Sequence, residues 1–331
     1  MNDDELGRAL RALDPARTPA DSPLPLDAER RLREIMDRPP VRRRRRPAVF
    51  ITAAAAAVVV VLTILTGVFW MPAPPASALT PDPLSYRELS AGLDAVVADA
   101  QRRLADGHGP EEPERRSLSL GWYFSGSPDD AADTVFRREW VDLHWNADLS
   151  GAIVTTAAEA TNAAGDTVPA DGPAPGTLVS ELTFVPGQYS TLSVDAPAPT
   201  REAMRDRLIA STGVGDAFTA GDAVNGIRRL LGEWTLTDAQ EGALLQVVAD
   251  APRAHLLGET EDRLGRDVVG ISGVPSAAPG YDLTLLVSRD TGRIYGVEST
   301  LRDDDPSLGL PGGSVTEYTL WNVDDRKDHS T

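Results

Sequence analysis

The hydrophobic and polar positions of this chain fall into three regimes. In residues 1–47 the apolar positions form two short helical stripes, Leu6, Leu10 and Leu13, then Leu32, Ile35 and Met36. Asp14-Pro15 and Pro39-Pro40 end them, and neither is long enough to be stable alone in water. The second regime, Ala48–Trp70, is 23 residues without a charge. At about 1.5 Å per residue, roughly 20 apolar residues cross a bilayer core, so a transmembrane helix is predicted over 48–71. Arg42, Arg43, Arg44, Arg45 and Arg46 abut it. Positive flanks stay on the cytoplasmic side, which puts 1–47 inside the cell membrane and the remainder outside. Pro72, Pro74 and Pro75 stop the helix, and 72–83 reads as a Pro/Ala-rich spacer. Ala76-Ser77-Ala78 resembles a cleavage site, but the apolar run and the segment before it are too long for a signal peptide, so a retained anchor is expected.

The third regime, 84–324, has the mixed periodicity of a folded domain, with 325–331 expected to be disordered. Ser85-Tyr86-Arg87-Glu88 has the form of a capping box with Leu84 and Leu89 as its staple. It predicts a helix burying Leu89, Leu93, Val96, Val97, Ala100 and Leu104 and ending at Gly107. Strands are predicted over Ser117–Phe124, Thr134–Trp145, Ala152–Ala157 and Leu178–Val185, with Val135, Val141, Leu143 and Trp145 on one face and a loop over 161–177. Three helices follow: Arg201–Ser211 capped by Thr200, Ala220–Leu231, and one opened by the capping box Thr237-Asp238-Ala239-Gln240. Strands then return over Ala254–Thr260, Val268–Gly273, Leu283–Ser288, Arg293–Leu301 and Val315–Val323. Asp290-Thr291-Gly292 makes a tight hairpin within them. This order predicts an α+β fold: one transmembrane helix, then a curved antiparallel sheet outside with helices on its concave face.

Charge sharpens the division. Residues 1–47 carry 12 Arg against 9 acids, a net of +3; residues 71–331 carry 20 Lys and Arg against 41 acids, a net of -21; together they make the chain's -18. A domain this acidic repels nucleic acid and anionic lipid, and no nucleic-acid partner is expected. The five Arg are better matched to lipid headgroups of the bilayer. The two short stripes of the tail suit a docking peptide for a cytoplasmic partner, with Leu6, Leu10, Leu13, Leu32 and Ile35 as its contacts, against a purely topogenic tail. There is no cysteine, which removes disulfides, thiolate metal sites and Cys nucleophiles.

Catalytic patterns are missing from the sequence. His108, His144, His255 and His329 have no metal-ligand neighbour at short spacing, and no P-loop, GxGxxG or nucleophile elbow is present. Asp303-Asp304-Asp305 lacks the spacing of a calcium loop and reads as solvated. No enzyme, cofactor or metal site is expected. Trp122, Tyr123, Trp140 and Trp145 gather in the early strands. They suit either core packing or an apolar ligand cavity on the concave side of the sheet.

Several segments together resemble a known group. They are Asp4-Glu5-Leu6 with Leu10-Arg11-Ala12-Leu13-Asp14-Pro15, the Arg cluster with its Ala/Val-rich span, Arg138-Glu139-Trp140, the Asn225–Trp234 helix, and Gly265-Arg266 with Leu285-Leu286-Val287 and Asp290-Thr291-Gly292-Arg293. The chain resembles an uncharacterised actinobacterial family of single-pass membrane proteins, some of which accompany extracytoplasmic-function sigma factors. In element order the outer domain is similar to the half-barrel fold of lipoprotein carriers and anti-sigma-factor regulators. The inner tail departs from the zinc-containing anti-sigma domain, having no Cys and no His. The resemblance implies a non-enzymatic membrane-anchored regulatory or sensory protein. Its outer domain would meet an apolar envelope ligand or a protein, and its tail a regulator such as a sigma factor. The alternative is a membrane-tethered carrier or chaperone for lipid or lipoprotein.

Overall fold

The computed structural model describes residues 80–124 and 135–323. The tail stripes, the five Arg, the 48–71 span and the C-terminal 325–331 lie outside the described residues. Among the described residues no helix is long and apolar enough to cross a membrane. The end of the expected spacer does not stand free. Thr80 is buried, the Asp82 N–H donates to the Ala163 carbonyl at 2.9 Å, and Arg263 donates to the Asp82 carbonyl at 3.0 Å.

The elements run in order as helix α1 (Leu93–Leu104), strands β1 (Arg116–Tyr123), β2 (Phe136–Trp145), β3 (Gly151–Thr161) and β4 (Leu178–Phe184), then helices α2 (Arg201–Thr212), α3 (Ala220–Leu231) and α4 (Asp238–Asp250). Strands β5 (His255–Glu261), β6 (Asp267–Gly273), β7 (Tyr281–Ser288), β8 (Ile294–Leu301) and β9 (Val315–Leu320) complete it. Among the described residues these nine strands form one sheet, ordered β4-β3-β2-β1-β9-β8-β7-β6-β5 and antiparallel throughout. The last strand inserts beside the first and joins two meanders into one sheet. Bulges in the β2–β3, β3–β4, β5–β6, β7–β8 and β8–β9 pairings bend and twist the strands.

Three helix starts follow the local rules. The Thr200 hydroxyl accepts from the Ala203 N–H, and Thr219/Asp222 and Thr237/Gln240 are reciprocal capping boxes. The expectation for the first helix fails. Ser85–Glu88 opens no helix; α1 begins at Leu93, with Gly92 at its N-cap and no side-chain cap. The backbone of Arg87 instead exchanges hydrogen bonds with Glu259 on β5, at 2.8 and 2.9 Å, and its guanidinium pairs with the Glu259 carboxylate. Tyr86 lies over Gly270, where a Cβ would sit 2.4 Å from the ring, and Leu84 packs into a sheet core. Unpaired strand backbone competes for the same N–H groups as a cap and here wins.

Alternate residues face opposite sides of the sheet. One side carries the helices. Val224, Ile227, Leu230 and Leu231 of α3 pack with Ile271, Leu283, Leu285 and Val287 of β6 and β7, and Leu143 and Trp145 of β2 join the same core. The other side holds a smaller cluster of Leu120, Trp122, Phe136, Leu286, Tyr318 and Leu320, with Leu84 against it. The packing explains why α3 is apolar over so much of its length: it lies on β6, β7 and β8 and under α2 and α4 at once.

Candidate functional site

The helices cover the sheet unevenly. Helix α3 sits over β6, β7 and β8, and beyond its edge the helix-side face opens into two hollows. The first, about 470 Å³, lies between α3 and strands β7 to β9 and is lined by Val214, Asn225, Arg228, Leu283, Leu308 and Glu317, among others. The second, about 380 Å³, lies over β1, β2 and β9 and includes Ser119, Val135, Glu139, Val141 and Thr319. Tyr123 and Glu317 border both, so the two make one trough across the sheet.

Two of the charges in this trough pair with each other. Arg228 of α3 forms an ion pair with Glu317 of β9 and donates to the Asn225 side chain at 3.1 Å. Asp222 at the wall is buried, but its carboxylate already accepts from the Thr219 N–H at 3.0 Å, the Thr219 hydroxyl at 2.8 Å and the Ser276 N–H at 3.1 Å. It holds the α3 N-terminus and a neighbouring loop together through these bonds.

Beyond the trough the sheet ends in β4. Among the described residues, six of the eight exposed large hydrophobic residues belong to this strand and the chain after it: Leu178, Val179, Leu182, Val185, Leu192 and Val194. Leu182 is 55% exposed although it pairs with Ile153, which packs against the helix-side core. Among the described residues β4 pairs with β3 alone. Its backbone donors and acceptors on the other side make an open sheet edge.

The four aromatic residues singled out in the sequence do not meet in one cavity. Trp122 lies in the smaller cluster, edge-on to Phe136 with centroids 5.3 Å apart and stacked on Tyr318 at 6.1 Å; Trp140 packs against the same cluster. Trp145 is on the helix side, stacked on Tyr189 at 5.2 Å and edge-on to Trp234 at 5.0 Å, and its indole N–H donates to the Glu233 carbonyl at 2.9 Å. Tyr123 alone is open, 62% exposed at the junction of the two hollows. Strand alternation sends neighbours Trp122 and Tyr123 to opposite faces. Helix-side packing takes Trp145 into the core.

Buried charges lie elsewhere. Arg293, at the start of β8, pairs with Glu241 and with Asp238 (2.8 Å) on α4 and donates to the Leu236 carbonyl at 3.0 Å. Burial pushes the Glu241 carboxyl up to about 7, with Arg293 opposing. On the opposite side of the sheet Arg263 pairs with buried Glu298 at 2.7 Å and lies over the Tyr318 ring at 4.8 Å. Burial raises Glu298 and, with Glu298 assisting, the Tyr86 hydroxyl as well. These pairs pin elements together: α4 to the β7–β8 hairpin, and residues 82–87 to the back of the sheet. The sequence reading did not find them, since pairing partners 35 to 52 residues apart leave no local pattern. His108, His144 and His255 are exposed, and among the described residues no group of His, Asp and Glu is arranged to hold a metal. Asp304 and Asp305 accept hydrogen bonds from Gly312, Ser307 and Leu308, so their carboxylates staple their own loop.

No protein-family model and no curated protein matches the chain. Solved structures do. A structure of MucB in complex with MucA(peri) is 13% identical with a TM-score of 0.24, over 69% of this chain and 52% of that one. The MucA/MucB complex of Pseudomonas aeruginosa is 13% identical with a TM-score of 0.24, over 70% and 56%. A LolA superfamily protein from Nitrosomonas europaea is 8% identical with a TM-score of 0.18, over 70% and 90%. The chain thus spans about half the length of the MucB chain it matches. At such TM-scores the likeness assigns no family.

Proposed function

We propose that this chain is a non-enzymatic, membrane-anchored regulatory protein. Its acidic domain recognises a protein partner outside the membrane, and its basic N-terminal tail engages a cytoplasmic regulator in a sigma-factor pathway. The observation that carries the reading is the distribution of exposed apolar surface. It is concentrated on β4 and residues 185–194, at the open end of the sheet, while α3 is close-packed on β6 and β7. Exposed apolar residues gathered at one end of a folded domain mark interaction surfaces more often than chemistry.

The test is transcriptional. In the host, a strain lacking the gene is compared with strains carrying the full chain, the chain without residues 2–40, and Leu178→Lys/Leu182→Lys. If the reading holds, both variants reproduce the transcript changes of the deletion while the protein stays in the membrane at normal abundance. A tail deletion that behaves as wild type in every respect would sink it.

The carrier reading keeps one specific observation in its favour. The hollow of about 470 Å³ is of the size of small-ligand sites. Its Arg228–Glu317 pair and its Asn225 suit a polar ligand better than an acyl chain. Native mass spectrometry of the full chain released from detergent decides this: a stoichiometric acyl lipid on the protein would make the carrier reading the stronger.

A further inference from the structure

The two ends of the sheet are treated differently by the chain. At the β5 end, residues 84–87 run alongside, and the Arg87 backbone closes a bridge to Glu259. The approach is close enough that Gly258, at φ 118°, would place a Cβ 2.1 Å from the Arg87 carbonyl oxygen. At the β4 end nothing comparable is found among the described residues. The strand Leu-Val-Ser-Glu-Leu-Thr-Phe is exposed at six of its seven positions. Of the devices that guard a free edge it has one charge, Glu181, and a bulge at its first residues, and it has no Pro, Lys or Arg.

Charge narrows what could pair there. Between Arg138 and Arg201 the chain has eight Asp or Glu and not one Lys or Arg. That stretch is β2 after its first three residues, β3, β4 and their loops, so the wing is acidic beyond Arg137 and Arg138. Glu181 stands in the middle of β4, opposite Val154, on the face away from the helices; Leu182 stands opposite Ile153 on the helix side. Among the described residues Glu181 forms no ion pair. A second copy of the chain would bring Glu181 and the acidic wing against themselves, which opposite charge would favour and like charge opposes. An anionic lipid surface is repelled for the same reason.

We propose that β4 is the docking edge for an extended, basic segment of a partner protein, which adds as a tenth strand. Backbone hydrogen bonds supply the pairing. Apolar side chains of the segment continue the face of Leu182 and Ile153, and a Lys or Arg on its other face meets Glu181. The seven residues of β4 set the length of the footprint at about seven residues. This deepens the regulatory reading by naming the chemistry of the outer partner.

The test uses the full chain in detergent micelles and three synthetic ten-residue probes labelled with fluorescein. One alternates Val and Arg, one alternates Val and Glu, and one is the Val/Arg peptide N-methylated at alternate residues so that it cannot pair. The expected result is binding of the Val/Arg probe at least roughly tenfold tighter than the Val/Glu probe at low salt. The N-methylated peptide should not bind, and amide hydrogen exchange should slow across residues 178–184. Glu181→Arg, a change at an exposed site, should keep the melting temperature and reverse the preference between the two charged probes. Unchanged exchange at 178–184, or equal affinities before and after Glu181→Arg, overturns the proposal. So does a dimer by sedimentation whose β4 amides are already protected without peptide, since the second copy is then the occupant. Failure here leaves the tail-deletion arm of the transcript test untouched, because that arm scores the tail independently of what binds β4.

Discussion

Glu241 is where a single side chain couples the fold to solution conditions. One carboxylate oxygen accepts the Ile294 N–H at 2.7 Å and the other faces Arg293, with both charged side chains almost fully buried. Burial is the larger influence, so the carboxyl is pushed up to about 7, and Arg293 only limits the rise. Between the ordinary carboxylate range and that value, the folded protein keeps a proton that the unfolded chain has released. Stability therefore falls as pH rises across the window, and is level above it. In Glu241→Gln the uncharged amide still accepts from Ile294, and Arg293 still holds Asp238 and the Leu236 carbonyl. The expected outcome is that wild type loses on the order of 1–3 kcal/mol relative to this variant between about pH 5 and about pH 7. Chemical denaturation at several pH values measures it; parallel curves for the two proteins would show that Glu241 does not titrate there.

At the scale of elements, β1 and β2 divide the aromatic residues by the parity of the strand. Trp145 shares the helix-side core with Trp234 and Tyr189 and carries Arg115 over its ring at 5.4 Å. Tyr123 stands in solvent at the rim of the trough. Trp145→Ala is expected to cost about 3–5 kcal/mol, the range for a buried aromatic truncated to Ala. Tyr123→Ala should change stability by no more than about 0.5 kcal/mol. Denaturant melts of the two variants check this. A Tyr123→Ala cost as large as that of Trp145→Ala would mean that Tyr123 is covered by a part of the chain outside the described residues. The capping boxes show the same competition between local and distant partners. Those at Thr219 and Thr237 form because their segments have no strand edge to answer, whereas Arg87 does.

At the scale of the whole domain, the decisive feature is that β9 lies between β1 and β8. Strands β1–β4 and β5–β8 are consecutive meanders, and only β9 hydrogen-bonds to both. The smaller core spans the same seam, with Leu120 and Trp122 from one meander, Leu286 from the other, and Tyr318 and Leu320 from β9 itself. A chain ending at residue 314 would leave two open edges and an exposed apolar seam. Its expected fate is loss of cooperative unfolding and rapid proteolysis of β1–β4, read by circular dichroism melts and limited thermolysin digestion. A truncated protein that melts in a single transition at the wild-type temperature would show that the meanders need no joining strand. The same topology leaves β4 and β5 as the two ends of the sheet, one bare and one bridged.

Much of this architecture was legible in the residues alone, because it rests on local rules. Short apolar runs between turn signals located all nine strands to within a few residues, Thr200 and Thr237 marked their helix starts through side chains close in sequence, and Gly292, at φ 74°, marked the β7–β8 turn. The acidity of the wing from Arg138 to Arg201 is likewise a property of the sequence. The tertiary structure decided what depends on partners far away in the chain. It placed β9 beside β1, drew Arg87 out of a cap and onto β5, paired Arg293 with Glu241 and Arg263 with Glu298, and separated Trp122 from Trp145. It also left Leu178, Val179 and Leu182 in solvent, although their apolar pattern reads like that of any buried strand. A strand's own residues set which of its faces is apolar; whether anything covers that face is set by the order of strands in the sheet, and that order is written in no local pattern.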